Sequence, residues 1–120
     1  MNHLRGATSY HAGLAAEESV ARTYVEHGAT LLAQRWRGAS GEVDLIFRLA
    51  EHIVFVEVKQ SKTFARAATA LSPRQVQRIF NAGSEFLATQ PKGQLTPCRF
   101  DLALVDGTGT VQIMQGALNG

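Results

Sequence analysis

Two short runs rich in β-branched and aromatic residues, 43–49 and 53–59, constrain this chain more than any other part of its sequence. Such a composition favours β-strands, and the tight break at Ala50 and Glu51 is typical of a turn between paired strands. We therefore predict an antiparallel hairpin, around which the rest of a sheet and its covering helices must assemble.

This hairpin would bring two carboxylates together. Asp44 and Glu57 are equidistant from the break, so they are predicted to lie opposite each other with Cβ atoms about 5 Å apart. Alternation along the second strand puts Lys59 on the same face as Glu57. Two carboxylates placed in this way repel each other, and a hard cation would relieve the repulsion.

The acidic pair and the lysine suit Mg²⁺ or Mn²⁺ chemistry on a phosphate ester. Mg²⁺ binds one or two carboxylates together with waters and phosphate oxygens, and a neighbouring lysine can orient the attacking water. Glu17 is the third candidate acid, because it falls on an inward helical stripe, where a carboxylate needs a partner. We expect the Asp44, Glu57 and Lys59 cluster to provide that partner. The alternative is that Glu57 and Lys59 form an ordinary surface pair.

The other elements follow from periodicity and capping residues. A first helix is predicted over residues 13–27, and a second is expected to begin after Ser72, a favourable N-cap that Pro73 follows. The apolar stripe of the first helix comprises Leu14, Ala21, Tyr24 and Val25. The remaining strands are predicted at residues 30–36, 99–105 and 110–114.

The predicted order is therefore α-β-β-β-α-β-β. The second helix lies between the third and fourth strands, which indicates that these two strands run parallel through a right-handed crossover. We predict an α/β fold with a central mixed sheet and flanking helices. Residues 13–120 would form a single domain, and residues 1–12 are predicted to be a flexible N-terminal arm.

Composition excludes several classes of protein. No apolar run exceeds four residues, whereas a membrane-spanning helix needs about 20, so we expect no membrane partner. The first residues carry no hydrophobic signal segment, and Cys98 is the only cysteine. These features predict a cytoplasmic protein.

Basic residues are concentrated in one stretch that contains no acid between Glu57 and Glu85. Such a stretch suits a polyanion, and we predict a nucleic acid, DNA in particular, as the partner. The residues expected to contact phosphates are Lys62, Arg66, Arg74 and Arg78. On charge alone, a solvated basic face explains the pattern as well.

The hairpin motifs also carry a family resemblance. The segment from Gly41 to Ile46, followed by that from Val54 to Lys59, resembles the bacterial YraN family, which is grouped with the restriction-endonuclease-like nucleases. The signature of that group is Asp followed by Glu-x-Lys. Further matches are Gly13 to Glu17, Arg35-Trp36-Arg37, Ser72-Pro73-Arg74 and Arg99-Phe100-Asp101. The resemblance spans about residues 13–106 and departs from the pattern at Val43, Ser61 and Gln75.

This resemblance implies a restriction-endonuclease-like α/β fold. It also implies that Asp44 and Glu57 are metal ligands, that Lys59 is the catalytic lysine and that Glu17 is the acid of the first helix. The leading hypothesis is thus a Mg²⁺- or Mn²⁺-dependent nuclease acting on DNA. The alternatives are a non-catalytic nucleic-acid-binding module on the same fold and a protein-interaction subunit. The oligomeric state and the shape of the DNA substrate are left open by the sequence.

Overall fold

A computed structural model of the chain describes the backbone of residues 2–119 and the side chains of residues 13–119. The elements are helices α1 (Asn2–Glu26), α2 (Phe64–Ala68) and α3 (Pro73–Leu87), a 3-10 turn (Gly93–Leu95), and strands β1 (Thr30–Arg37), β2 (Glu42–Leu49), β3 (His52–Gln60), β4 (Cys98–Val105) and β5 (Val111–Met114). The strands form one open sheet in the order β1-β2-β3-β4-β5.

The sheet is mixed, as predicted. Strands β3 and β4 are parallel, and the other neighbouring pairs are antiparallel. The connection from β3 to β4 carries α2 and α3, because parallel neighbours require a crossover. The prediction of an α/β protein with a mixed sheet and flanking helices is confirmed.

The predicted element order lacked α2, and this part of the prediction was wrong. No element was predicted between the strand at residues 53–59 and the helix after Ser72, but Thr63 caps a short helix there by accepting a hydrogen bond from the backbone N–H of Arg66 at 3.2 Å. Ala67 of this helix is completely buried. Five residues are too few to show helical periodicity in a sequence. The predicted flexible arm, residues 1–12, lies outside the residues whose side chains are described.

Two apolar clusters lie on opposite faces of the sheet. On one face α1 packs against side chains that include Leu45 and Val54, and on the other α3 packs against side chains that include Ile46 and Phe55. Both layers cover β3, which accounts for its nearly continuous burial from Ile53 to Glu57.

The buried side of α1 differs from the predicted stripe. Ala16, Val20 and Tyr24 are buried at i, i+4 spacing, whereas Val25 is 52% exposed. The small side chain of Ala16 lets the helix approach the sheet closely, and a search for large apolar residues overlooks such a position. Within the described part of the chain, no helix combines the length and the apolar character needed to cross a bilayer.

Helix α3 begins with the predicted cap. The Ser72 side chain accepts from the backbone N–H of Gln75, and the Gln75 side chain accepts from the backbone N–H of Ser72, both at 3.2 Å. This reciprocal capping box, with Pro73 at the first turn, fixes the start of the helix. Gln75 therefore has a clear structural role at a position where the sequence departs from the family pattern.

Gly83 allows α3 to lie close to the sheet. A Cβ atom at this position would lie 2.8 Å from two ring carbons of Phe100. We therefore expect Gly83→Ala to destabilise the protein by about 1–3 kcal/mol, because overpacking outweighs the gain in helix propensity. Gly13→Ala in α1 is the matched control, since a Cβ there meets nothing within 4 Å, and it should stabilise. Urea denaturation of both variants checks this, and a stabilised Gly83→Ala would contradict the close packing.

Candidate functional site

The candidate site lies where β2 and β3 stop pairing. Their backbone register places Leu45 opposite Val56 as the last pair, and its continuation places Asp44 opposite Glu57. Beyond that pair a side chain replaces the backbone as hydrogen-bond acceptor: Oδ2 of Asp44 accepts from the N–H of Val58 at 2.8 Å. The predicted hairpin is confirmed, and its register brings the two acids together.

Glu57 is the more buried acid of the pair. Its residue is only 8% exposed, and its carboxyl lies close enough to that of Asp44 for the two to share a hydrogen bond. Burial, followed by the negative charge of Asp44 and this hydrogen bond, raises the pKa of Glu57 to about 8. Lys59 opposes the rise, with its Nζ 3.4 Å from Glu57 Oε2. Without a metal, Glu57 therefore retains a proton to an unusually high pH.

The environment of Glu17 differs from the expectation. Its carboxylate accepts from Nε and Nη2 of Arg35 at 3.0 and 3.3 Å, so Arg35 rather than the Asp44, Glu57 and Lys59 cluster is its partner. Burial raises the pKa of Glu17, and the charge of Asp44 adds to the rise against the hydrogen bond from Arg35. Glu17 thus lies near Asp44 and is paired with Arg35 of β1.

The donor set of the site consists of two carboxylates. Among residues 13–119, no three Asp, Glu, His or Cys side chains gather closely enough to hold a metal ion, so Glu17 does not complete a group with Asp44 and Glu57. Two carboxylates are nonetheless a sufficient protein contribution for Mg²⁺, which keeps several waters and takes up substrate oxygens. Direct ligation by Glu17 remains a prediction.

The predicted phosphate-contacting residues are all exposed and follow β3 along the chain. Within the described residues, none of them forms an ion pair, whereas Lys59 and Arg99 each pair with an acid. One of the four, Arg78, lies against the loop that leads into β2, since a Cβ on Gly41 would come within 3.2 Å of Arg78 Cβ. The four residues are Lys62 before α2, Arg66 on α2, and Arg74 and Arg78 on α3.

Glu85 was missed at the sequence level. Its carboxylate accepts from the backbone N–H groups of Ala39 and Ser40, at 3.1 and 3.4 Å, and holds the loop that leads into β2. A side chain on Gly38 would collide with this carboxylate. The only signal in the sequence is that Glu85 is the first acid after the acid-free stretch, which says nothing about a loop 45 residues away.

The raised pKa of Glu57 predicts a pH-dependent stability. Between its ordinary pKa of 4.5 and its folded value of about 8, the folded state holds a proton that the unfolded chain has released. The free energy of unfolding of the metal-free protein should therefore fall as pH rises through this window. Glu57→Gln should flatten the slope, measured by chemical denaturation at several pH values. Glu51→Gln, in the exposed turn, is the control, and an unchanged slope in Glu57→Gln would refute the assignment.

Fold and site together define a class: a mixed α/β protein with an acidic pair and a lysine on the central hairpin of its sheet. A family model described as "Uncharacterised protein family UPF0102" matches residues 16–105. The chain belongs to the UPF0102 family, which is the YraN family that the sequence resembles.

Curated relatives match over nearly the whole chain. A UPF0102 protein of Roseobacter denitrificans is 56% identical over 114 residues, which cover 95% of this chain and 88% of the relative. One of Ruegeria pomeroyi is 56% identical over 113 residues, covering 94% and 92%. One of Cereibacter sphaeroides is 54% identical over 114 residues, covering 95% and 97%.

Proposed function

We propose that this protein is a Mg²⁺- or Mn²⁺-dependent nuclease that hydrolyses DNA phosphodiesters. The observation that carries the proposal is the contact between the buried Glu57 and Asp44, with Lys59 Nζ 3.4 Å from Glu57. Placing a buried carboxylate beside a half-buried one is unfavourable unless a cation or a proton compensates them. A purely structural role would be served equally well by less costly residues.

The arrangement of elements supports a restriction-endonuclease-like fold. The acid of β2 and the Glu-x-Lys of β3 stand on a central antiparallel hairpin, and β4 joins β3 in parallel. Helices cover both faces of this sheet. This is the arrangement that the resemblance of the sequence implies.

Asp44 and Glu57 would hold the cation through carboxylate oxygens, the ligands that Mg²⁺ and Mn²⁺ prefer. When bound, the metal supplies charge neutralisation at the phosphate and a more acidic water. Glu57 must lose its proton to act as a ligand, and the ammonium group of Lys59 favours the ionised form. Glu17 would act as an outer carboxylate that adds negative charge near Asp44.

Lys59 would be the residue of this chain that acts on the attacking water and the phosphate. Its side chain is only 20% exposed and is held in place by Glu57. From this position the ammonium group can orient the attacking water and offset negative charge that develops on the phosphate. The exposed basic residues after β3 would contact neighbouring phosphates of the DNA backbone. Since Cys98 is a free thiol, a reducing cytoplasm is the location that suits the protein.

The test is a cleavage assay on plasmid, duplex and single-stranded DNA. Wild-type protein should cut in the presence of Mg²⁺ or Mn²⁺, and Lys59→Ala should lose about 10²–10³-fold in rate. Lys92→Ala, an exposed lysine in a groove with Pro97 at the other end of the sheet, is the matched control and should cut normally. Salt-dependent binding without cleavage would instead identify a non-catalytic nucleic-acid-binding module. Neither binding nor cleavage would favour a protein-interaction subunit.

DNA affinity should depend steeply on salt through the exposed basic residues after β3. Each phosphate contact contributes about −0.9 to the slope of log affinity against log salt for duplex DNA. Replacing Arg74 and Arg78 together by alanine should flatten the slope by up to about two units, measured by fluorescence anisotropy. Replacing Arg48 and Lys92, which share a groove at the other end of the sheet, should change it little. Equal slopes for the two double variants would show that Arg74 and Arg78 belong to a solvated surface that does not contact DNA.

A further inference from the structure

We propose that Arg35 is a positioning residue of the site, whose left-handed backbone turns Asp44 out of the regular pleat of β2. The inference rests on the proposed function for the role of Asp44 as a metal ligand. The effect of Arg35 on the conformation of Asp44 can be tested without metal or DNA.

The backbone of Arg35 is exceptional for its place in the fold. Its φ angle is +49°, although it lies inside strand β1 and is not glycine. Such a conformation is uncommon for residues other than glycine, asparagine and aspartate. The pairs on either side, Gln34 with Leu45 and Trp36 with Val43, place Arg35 opposite Asp44. The irregular residue of β1 therefore faces the candidate metal ligand of β2.

The packing around Asp44 shows the consequence. In a regular strand, residues two apart point to the same face. Val43, however, packs in the cluster beneath α3, whereas Leu45 packs in the cluster beneath α1. Along β2, the alternation of side chains between the two faces of the sheet thus changes phase at Asp44, directly across from Arg35. Irregularities of this kind re-aim side chains next to functional sites.

Asp44 makes a hydrogen bond to the backbone of β3 at the position where this change of phase occurs. Its carboxylate reaches the N–H of Val58 at 2.8 Å and lies within hydrogen-bonding reach of Glu57. A regular pleat at this point would place Val43 and Leu45 on the same face of the sheet and would point Asp44 to the opposite face, away from the backbone of β3. The hydrogen bond from the Val58 N–H to Asp44, rather than the cross-strand placement of Asp44 opposite Glu57, therefore depends on the break.

The side chain of Arg35 supports its unusual backbone. The guanidinium binds both oxygens of Glu17, at 3.0 and 3.3 Å, with side chains that are 33% and 16% exposed. A two-point contact of this geometry is specific to arginine. It ties α1 to β1 at the irregular residue, so that helix and strand hold the conformation together.

The experiment compares two variants that both remove the guanidinium. Glycine accepts a left-handed backbone, whereas the β-branched valine resists it. We expect the Val58 amide in metal-free Arg35→Gly to exchange with solvent about as slowly as in the wild type. In Arg35→Val it should exchange at least about tenfold faster, because Asp44 no longer accepts its hydrogen. Mn²⁺ affinity by calorimetry should follow the same order, with the valine variant weaker by about tenfold or more.

Equal Val58 exchange in the glycine and valine variants would overturn the proposal, whether both resembled the wild type or both were fast. If the valine variant fails to fold, Arg35→Asn and Arg35→Gln make the same comparison, since asparagine tolerates the left-handed region better. Arg37→Gly and Arg37→Val, at an exposed position of the same strand, are the matched controls and should not differ at Val58. A wild type that binds no Mn²⁺ would refute the proposed function, while the Val58 comparison would still decide this inference.

Discussion

Replacing Asp101 by alanine should lower the free energy of unfolding by about 3–5 kcal/mol, as expected when one partner of a buried ion pair is lost. Asp101 is completely buried in β4. Its carboxylate accepts from Tyr24 Oη at 2.7 Å, from Arg99 Nε at 3.1 Å and from the backbone N–H of Gly116 at 2.8 Å. Alanine leaves all three donors without their acceptor.

Urea denaturation measures this loss, and two further variants calibrate it. Tyr24→Phe removes one donor to the carboxylate and should cost about 1.5–3 kcal/mol. Glu51→Ala, in the exposed turn between β2 and β3, should change stability by no more than about 0.5 kcal/mol. If Asp101→Ala proved as stable as Glu51→Ala, the network that joins α1, β4 and the segment after β5 would have no structural importance.

The second large effect concerns the metal. A cation that binds the folded site and not the unfolded chain stabilises by about 2.7 kcal/mol at a hundredfold excess over its dissociation constant. Millimolar Mg²⁺ or Mn²⁺ should therefore raise the melting temperature of the wild type. Asp44→Asn should abolish the rise, since it removes a charged ligand while keeping an oxygen that can accept from Val58.

Above about pH 8, where Glu57 is ionised, the metal-free Asp44→Asn protein should be at least as stable as the wild type, because one charge beside the buried Glu57 is gone. A structural aspartate would behave in the opposite way. Thermal melts of both proteins with and without metal separate the two cases. Loss of stability in metal-free Asp44→Asn, together with a wild type that ignores the cation, would contradict the catalytic interpretation.

The central hairpin and the start of α3 were predictable because local chemistry determines them. The composition of β2 and β3 and the tight turn between them set the register that brings Asp44 opposite Glu57. Ser72 and Pro73 act through contacts within one helical turn. The parallel pairing of β3 with β4 followed from the crossover rule, which depends only on the order of elements.

Other parts of the structure depend on contacts between distant segments. Glu17 pairs with Arg35, a left-handed residue of β1, and the sequence could not indicate this conformation because arginine does not favour it. Asp101 matched a family motif, but its burial depends on Tyr24, 77 residues away in sequence. Helix α2 is held by a cap and a single buried alanine, Ala67, too little for a periodic signal.

Crystals soaked in millimolar Mn²⁺ would test the central claim most directly, through the anomalous scattering of the metal. We predict one peak in contact with the carboxylates of both Asp44 and Glu57, and none at this place in crystals of Asp44→Asn. A wild-type crystal with Lys59 still paired to Glu57 and no peak between the two acids would contradict the proposal that this pair holds a catalytic metal.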